Sequence, residues 1–146
     1  MNGSSLARQL PLRLSAGAFL LNSGLSKSSA DEETAQQLQG FAAGTYPFLG
    51  KLDARSFLGL LSKAEVTIGA ALLLPVVPAA VAGAALTAFS VGTLGLYLKT
   101  PGMRREGSLR WTEQGLPLAK DAWMLGMGVS LLIDGLPKPG GGRRCR

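Results

Sequence analysis

The chain of 146 residues contains no histidine and a single cysteine, Cys145. Without histidine it cannot form the Ser–His or Cys–His pair that activates most hydrolase nucleophiles. One cysteine excludes an internal disulfide or a thiolate cluster, and few ligands remain for haem or zinc. The sequence also lacks a glycine-rich phosphate loop followed by Lys and Ser or Thr. We therefore expect no metal site and no catalytic residues, and we expect that the chain is not an enzyme by itself.

Charge is also scarce, because charged residues make up 16% of the chain while hydrophobic residues make up 47%. The mean hydropathy is +0.24, which is high for a soluble domain of this size. The 20 glycines agree with this, because glycine is commoner in spanning helices than in soluble ones. Composition and length together predict one membrane domain.

The formal net charge of +6 comes from basic residues at the ends of apolar runs, with no aromatic residues interleaved among them. A protein that reads nucleic acid needs a solvated basic face. The charge distribution instead favours contact with anionic lipid head groups, so the expected partner is the bilayer and not nucleic acid.

Four apolar segments have about the length of a bilayer span, and backbone groups in lipid must be hydrogen-bonded within their own segment. The sequence therefore predicts an all-α transmembrane four-helix bundle over residues 1–136, followed by a flexible basic tail over 137–146. The predicted spans are about 10–27, 56–77, 79–98 and 116–136.

Two connections stand out in this arrangement. Pro75 and Pro78 bracket a very short link, which predicts an antiparallel hairpin of the second and third spans. The long first connection, 27–55, is partly amphipathic and contains Tyr46 and Phe48. It is compatible with a short amphipathic or re-entrant segment and equally with a plain loop.

The first segment has a second interpretation as a cleaved signal peptide. Arg8 and Arg13 precede the apolar run 14–25, and small residues follow at 28–30. Against this interpretation, Asn22 weakens the apolar core and Lys27 lies before the cleavage site. We expect that the segment is retained.

A carboxylate near the middle of a span marks a functional site by default, because an unpaired charge in lipid is costly. Glu65 holds that position in the second span. Four alternating helices bring further charges to the same half of the bundle, so we predict an intramembrane polar cluster in which a lysine is paired with Glu65. Its members are Lys27, Lys63, Glu65, Lys120 and Asp121.

The opposite half of the bundle contains Arg13 and Asp134, which we predict either to pair with each other or, for Asp134, to cap the last helical turn. In the first helix, spacings of four and three residues place five positions on one face, which we expect to point into the bundle. These positions are Arg13, Gly17, Leu20, Gly24 and Lys27.

A stripe of small residues recurs every four positions along the third span. Such stripes allow helix backbones to approach closely in lipid, so the stripe predicts a helix contact within the bundle or an interface between copies of the chain. It consists of Ala80, Ala84, Ala88 and Gly92.

Several of these segments resemble the DoxX-like family of small four-helix integral membrane proteins. The run 13–27 resembles the opening helix of that family, Glu65 followed by Gly69 resembles its second helix, and 119–126 resembles its fourth, while Lys99-Thr100-Pro101-Gly102 is similar to a connection in some members. The similarity extends over roughly residues 6–136. It implies a link to redox metabolism, because some members are subunits of quinone-reducing thiosulfate oxidation complexes and others accompany detoxifying enzymes.

We therefore expect a multi-pass protein of the cell membrane with both termini cytoplasmic, acting as an accessory or quinone-interacting subunit of a membrane redox system. No cofactor is established by the sequence, and quinone is the one candidate; a redox enzyme or a second copy of the chain is the candidate partner besides the bilayer. A small transporter or proton-conducting bundle, and a purely structural membrane protein, remain alternatives.

Overall fold

A computed structural model describes residues 3–99, 105–108, 110, 112–113, 115 and 119–137, and in these residues the protein is all α-helical, as predicted, with no strand. A 3₁₀ turn at Pro47–Lys51 follows the second of five helices. These are α1 Gly3–Ser28, α2 Glu32–Thr45, α3 Ala54–Leu73, α4 Ala79–Lys99 and α5 Asp121–Gly135. Positions 116–118 of the fourth predicted span and 138–146 of the predicted tail lie outside the described residues.

The helices form two closely packed antiparallel pairs, α1 with α3 and α4 with α5. Contacts between α3 and α4 are few, although only the short turn with Pro75 and Pro78 separates them. The two segments are therefore not packed against each other as the predicted hairpin requires. The turn between them is a corner of the chain, after which α4 packs chiefly on α5, while α3 packs chiefly on α1.

Glycine allows the close approach within each pair. A side chain at Gly69 on α3 would lie 2.9 Å from the carbonyl oxygen of Gly17 on α1. A side chain at Gly83 on α4 would lie 2.8 Å from the carbonyl oxygen of Gly128 on α5. Backbone meets backbone at both places, which is the packing that small residues permit between helices in lipid.

The long first connection contains α2 and the 3₁₀ turn. Of the two predicted alternatives, the structure therefore has the short helical segment and not the plain loop. Asp31 and Asp53 accept backbone hydrogen bonds at the N-termini of α2 and α3, at 2.8 Å and 3.1 Å. These hydrogen bonds lower the pKa of both carboxyls. The Tyr46 hydroxyl donates to the carbonyl oxygen of Gly92 at 3.0 Å and fixes the end of α2 against α4.

Two of the described helices, α3 and α4, are long and apolar enough to cross a membrane, with mean hydropathies of 1.4 and 1.7. The described part of α5 has 15 residues, which is shorter than the roughly 20 that a span requires. Helix α1 begins at Gly3, well before the predicted start at Leu10, and contains Gln9 and Arg13 among its buried residues.

The small-residue stripe on α4 does not form the predicted helix contact within the bundle, and its alternative role as an interface between copies of the chain stays a prediction. Ala84 and Ala88 are exposed, and no atom lies within 4 Å of the position that a side chain at Gly92 would take. Ala80 does meet α5, at Gly135. A strict spacing of four residues rotates by about 40° at each step around a helix with 3.6 residues per turn, so such a stripe turns away from its neighbour.

Substitutions at adjacent positions of α4 should therefore differ in effect. We expect Gly83→Leu to lower the thermal stability of the detergent-solubilised protein, because overfilling a tight helix contact costs about 1–3 kcal/mol or more. Ala84→Leu adds bulk to the exposed neighbouring face and should leave the melting temperature nearly unchanged. Equal losses for the two variants would contradict the register of the α4–α5 contact.

Candidate ligand-binding cavity

A partly open cavity of about 310 Å³ lies between the two helix pairs and is bordered by all five helices. Helix α2 contributes Leu38, Phe41 and Ala42 to its wall, so the first connection covers one side of the cavity. The wall is mainly apolar and includes four phenylalanine rings. These rings belong to Phe19, Phe41, Phe57 and Phe89.

Four charged residues line this cavity, and they come from three helices. They are Lys27 on α1, Glu65 on α3, and Lys120 and Asp121 at the start of α5. The structure thus brings together four of the five residues of the predicted polar cluster.

Lys27 and Glu65 form an ion pair inside the bundle. The Lys27 ammonium lies 3.0 Å from a Glu65 carboxylate oxygen and also donates to the Ser23 hydroxyl at 2.7 Å. The Glu65 side chain is 7% exposed and that of Lys27 is 22% exposed. An acid with so little access to solvent requires a partner. The sequence predicted a lysine but left open whether Lys27, Lys63 or Lys120 supplies it, and in the structure it is Lys27 on α1.

Asp121 and Lys120 form the other half of the cluster. Asp121 is buried. Its carboxyl interacts with the Thr93 hydroxyl on α4 and with the charges of Lys120, Glu65 and Lys27. The Lys120 ammonium lies 4.5 Å from the centre of the Phe19 ring, a cation–π distance. The cluster therefore places two acids and two ammonium groups around one cavity.

Lys63 is the predicted member that does not belong to this cluster. It is exposed and does not line the cavity. Two residues correspond to about 200° of rotation around a helix, so Lys63 and Glu65 must point to different sides of α3.

The opposite end of the bundle also differs from the prediction, because Arg13 binds backbone rather than Asp134. Its guanidinium, 1% exposed, donates to the carbonyl oxygens of Leu72, Leu74 and Val77 at 3.3, 3.2 and 2.8 Å. The last carbonyls of a helix have no partner within it and carry a partial negative charge. Arg13 therefore caps the C-terminus of α3 and stabilises the corner that leads to α4.

Asp134 accepts side-chain hydrogen bonds from two residues of α1 that lie about one turn before Arg13. Arg8 donates to it at 3.3 Å, and the Gln9 amide donates to its other carboxylate oxygen. At this end of the bundle, Arg8 and Gln9 therefore connect α1 to α5 through Asp134, whereas Arg13 is directed towards the end of α3.

Sequence reasoning missed several residues of the cavity. Thr93 and Ser23 are ordinary hydroxyl residues of apolar segments, although Ser23 precedes Lys27 by one helical turn, which is a usable signal. Phe41 and Ala42 reach the cavity only because α2 folds back over it. No local pattern in the sequence indicates that position.

The chemistry available here is binding and proton transfer. Ammonium groups donate hydrogen bonds, carboxylates accept them or take up a proton, and aromatic walls hold a flat apolar body. No group of three or more residues in the described part of the chain is arranged to hold a metal ion.

Comparison with known protein families, with curated proteins and with solved structures finds no match to this chain.

Removing Lys27 should destabilise the protein more than removing Lys63. Loss of one partner of a buried ion pair costs up to about 3–5 kcal/mol, and protonation of Glu65 would reduce that cost. We expect Lys27→Met to lower the melting temperature in detergent, the matched change Lys63→Met to have little effect, and Lys27→Met with Glu65→Gln to recover part of the loss. Equal effects of Lys27→Met and Lys63→Met would contradict the pairing.

Arg13 should not be replaceable by lysine. An ammonium group cannot reproduce the planar fork that reaches three carbonyl oxygens, and each hydrogen bond to a charged group contributes about 1.5–3 kcal/mol. We expect Arg13→Lys to destabilise the protein by about 2 kcal/mol or more. Arg8→Lys, at a side chain that is 62% exposed, is the matched control and should cost less than about 1 kcal/mol. Indistinguishable unfolding curves for the two variants would oppose the capping role.

Proposed function

We propose that this protein is a small multi-pass membrane protein that binds the head group of a membrane-soluble quinone, as an accessory or quinone-interacting subunit of a redox system. One observation carries the proposal: a cavity with aromatic walls encloses the Lys27–Glu65 pair together with Lys120 and Asp121. Small-molecule sites have this composition, with apolar walls and a few placed polar groups.

The outward faces of the helices support a membrane location. Val81, Val91 and Leu98 are exposed on α4, and Trp123 and Ile133 on α5 are 71% and 64% exposed. Helix α4 is apolar around its whole circumference, although much of it is not covered by the rest of the chain. In lipid such a surface needs no further partner.

A membrane topology with four crossings is part of the proposal. In it α1, α3, α4 and α5 alternate in direction, so the two ends of the chain lie on the same side. The basic residues Lys138, Arg143, Arg144 and Arg146 in the tail, together with Arg8, favour the cytoplasm for that side. With α5 at its described length of 15 residues, a crossing by this helix requires the bilayer to thin locally.

A quinone ring fits the groups that the cavity offers. Its two carbonyl oxygens accept hydrogen bonds, and the ammonium groups of Lys27 and Lys120 can donate them. The Thr93 hydroxyl can donate as well if it turns away from the backbone carbonyl oxygens of α4 to which it is hydrogen-bonded. The flat ring matches the phenylalanine walls, and aromatic rings favour offset stacking or edge-to-face contact. Glu65 and Asp121 can hold or release the protons that accompany quinone chemistry.

Electrons for a bound quinone would come from a partner protein. The chain has no histidine and one cysteine, so it offers few ligands for a redox centre of its own. Placing that partner in a redox complex rests on the sequence resemblance to DoxX-like proteins alone, since no family model matches the chain.

A transporting or proton-conducting bundle is the second candidate and has less support. The charged residues lie in two groups at opposite ends of the bundle, and the glycine contacts bring backbone directly against backbone within each helix pair. Such packing leaves little room for a polar route inside either pair.

Quinone binding by the purified chain in mild detergent tests the proposal. We expect titration calorimetry with a short-tailed benzoquinone to show binding to the unmodified protein. Ala42→Phe should abolish it by filling the cavity, whereas Ala88→Phe, the same change on the exposed face of α4, should not. Thr93→Val removes a donor at nearly constant shape and should weaken binding about two- to tenfold.

Absence of binding to the unmodified protein, or equal binding by the Ala42→Phe and Ala88→Phe variants, would overturn the proposal. Proton flux measured in proteoliposomes without quinone tests the second candidate. A proton-conducting bundle would show this flux, and Glu65→Gln would reduce it. A redox enzyme that co-purifies with the chain would support the accessory role, and a homo-oligomer isolated without quinone or an enzyme would oppose it.

A further inference from the structure

A second concave surface lies on the outside of the bundle between α1 and α5. It is a groove of about 280 Å³ lined mainly by apolar side chains, including Ala16, Trp123, Met124 and Met127. Helices α1 and α5 make few contacts with each other, which leaves this groove open along the seam between the two helix pairs. Methionine side chains adapt well to a flexible apolar body, and tryptophan offers a large apolar surface to it.

The groove and the cavity share two residues, Phe19 and Lys120. The Lys120 ammonium lies over the Phe19 ring at 4.5 Å, so this pair forms the partition between the two spaces. Phe19 is 42% exposed, so this side of the partition faces outward. The polar cavity and the apolar groove thus meet at this pair of side chains.

We propose that the groove between α1 and α5 holds the hydrophobic tail of the ligand whose head group occupies the cavity, and that Phe19 and Lys120 form the gate between them. This inference rests on the proposed function. It specifies the ligand class further, as a head group joined to a long apolar tail, and it identifies the route of entry from the lipid.

The order of polarity along this path supports a tailed ligand. Lys27, Glu65 and Asp121 lie on the cavity side of the gate. Apart from Lys120, which belongs to the gate, the groove is lined by aromatic, methionine and small side chains. A ligand without a tail would gain nothing from the groove. A ligand with a tail keeps that tail against apolar surface, as it was in lipid, while its head group reaches the hydrogen-bond donors.

Two ligands that share one head group separate binding of the head group in the cavity from binding of the tail in the groove. We compare a tail-free benzoquinone with the same ring carrying an alkyl tail long enough to pass the gate. Ser15→Phe, at a residue that lines the groove, should weaken binding of the tailed ligand about tenfold by filling the groove. It should leave the tail-free ligand within about twofold of its affinity for the unmodified protein, since the cavity is unchanged.

Ser130→Phe is the matched control, because Ser130 is exposed on α5 and does not line the groove. Photocrosslinking of the unmodified protein with a diazirine on the tail gives an independent readout that needs no substitution. We expect labelled peptides from α5 around Trp123–Met127 and not from the outer face of α4.

The outcomes distinguish the two proposals. Failure of both ligands to bind overturns the proposed function and this inference together. Binding of both ligands with no selective effect of Ser15→Phe, or tail labels spread evenly over the outer helix faces, overturns the groove while leaving the cavity in place.

Discussion

Close approach of helix backbones at glycine is the constraint on which the remaining structure depends. Gly17 with Gly69, and Gly83 with Gly128, hold the helices of each pair at a distance that admits no side chain. The seams between the pairs are less closely packed. Both the cavity and the groove lie between the pairs. The positions of the glycines therefore determine where a ligand has room to bind.

The cavity also shows how charge can be tolerated among apolar helices. Two ammonium groups and two carboxyls surround it, so the cluster has no formal net charge when all four are ionised. Each charge has an opposite or polar neighbour, which offsets part of the loss of hydration. A ligand that enters therefore meets donors and acceptors together rather than a field of one sign, which favours a neutral polar head group over an ion.

Periodicity explains which parts of this structure the sequence could predict. Spacings of four and three placed Arg13, Gly17, Leu20 and Gly24 on one face of α1, and all four are buried. The strict spacing of four along α4 failed because it drifts around the helix. That Glu65 pairs with a lysine could be predicted from the cost of a buried acid, but not which of Lys27, Lys63 and Lys120 it is. The partners of Arg13 could not, because backbone carbonyls at a helix end leave no signal in the residue types around them, and the position of α2 over the cavity depends on contacts distant in the sequence.

The capping of α3 by Arg13 has a consequence for how this chain can vary. Its three acceptors are main-chain oxygens, which every amino acid carries. The corner at residues 72–77 can therefore exchange its side chains freely, within the limits of packing, without losing the contact. Change at position 13 has no such freedom. Among related chains we expect an invariant arginine facing a variable corner, a one-sided dependence that methods based on paired substitutions would fail to detect.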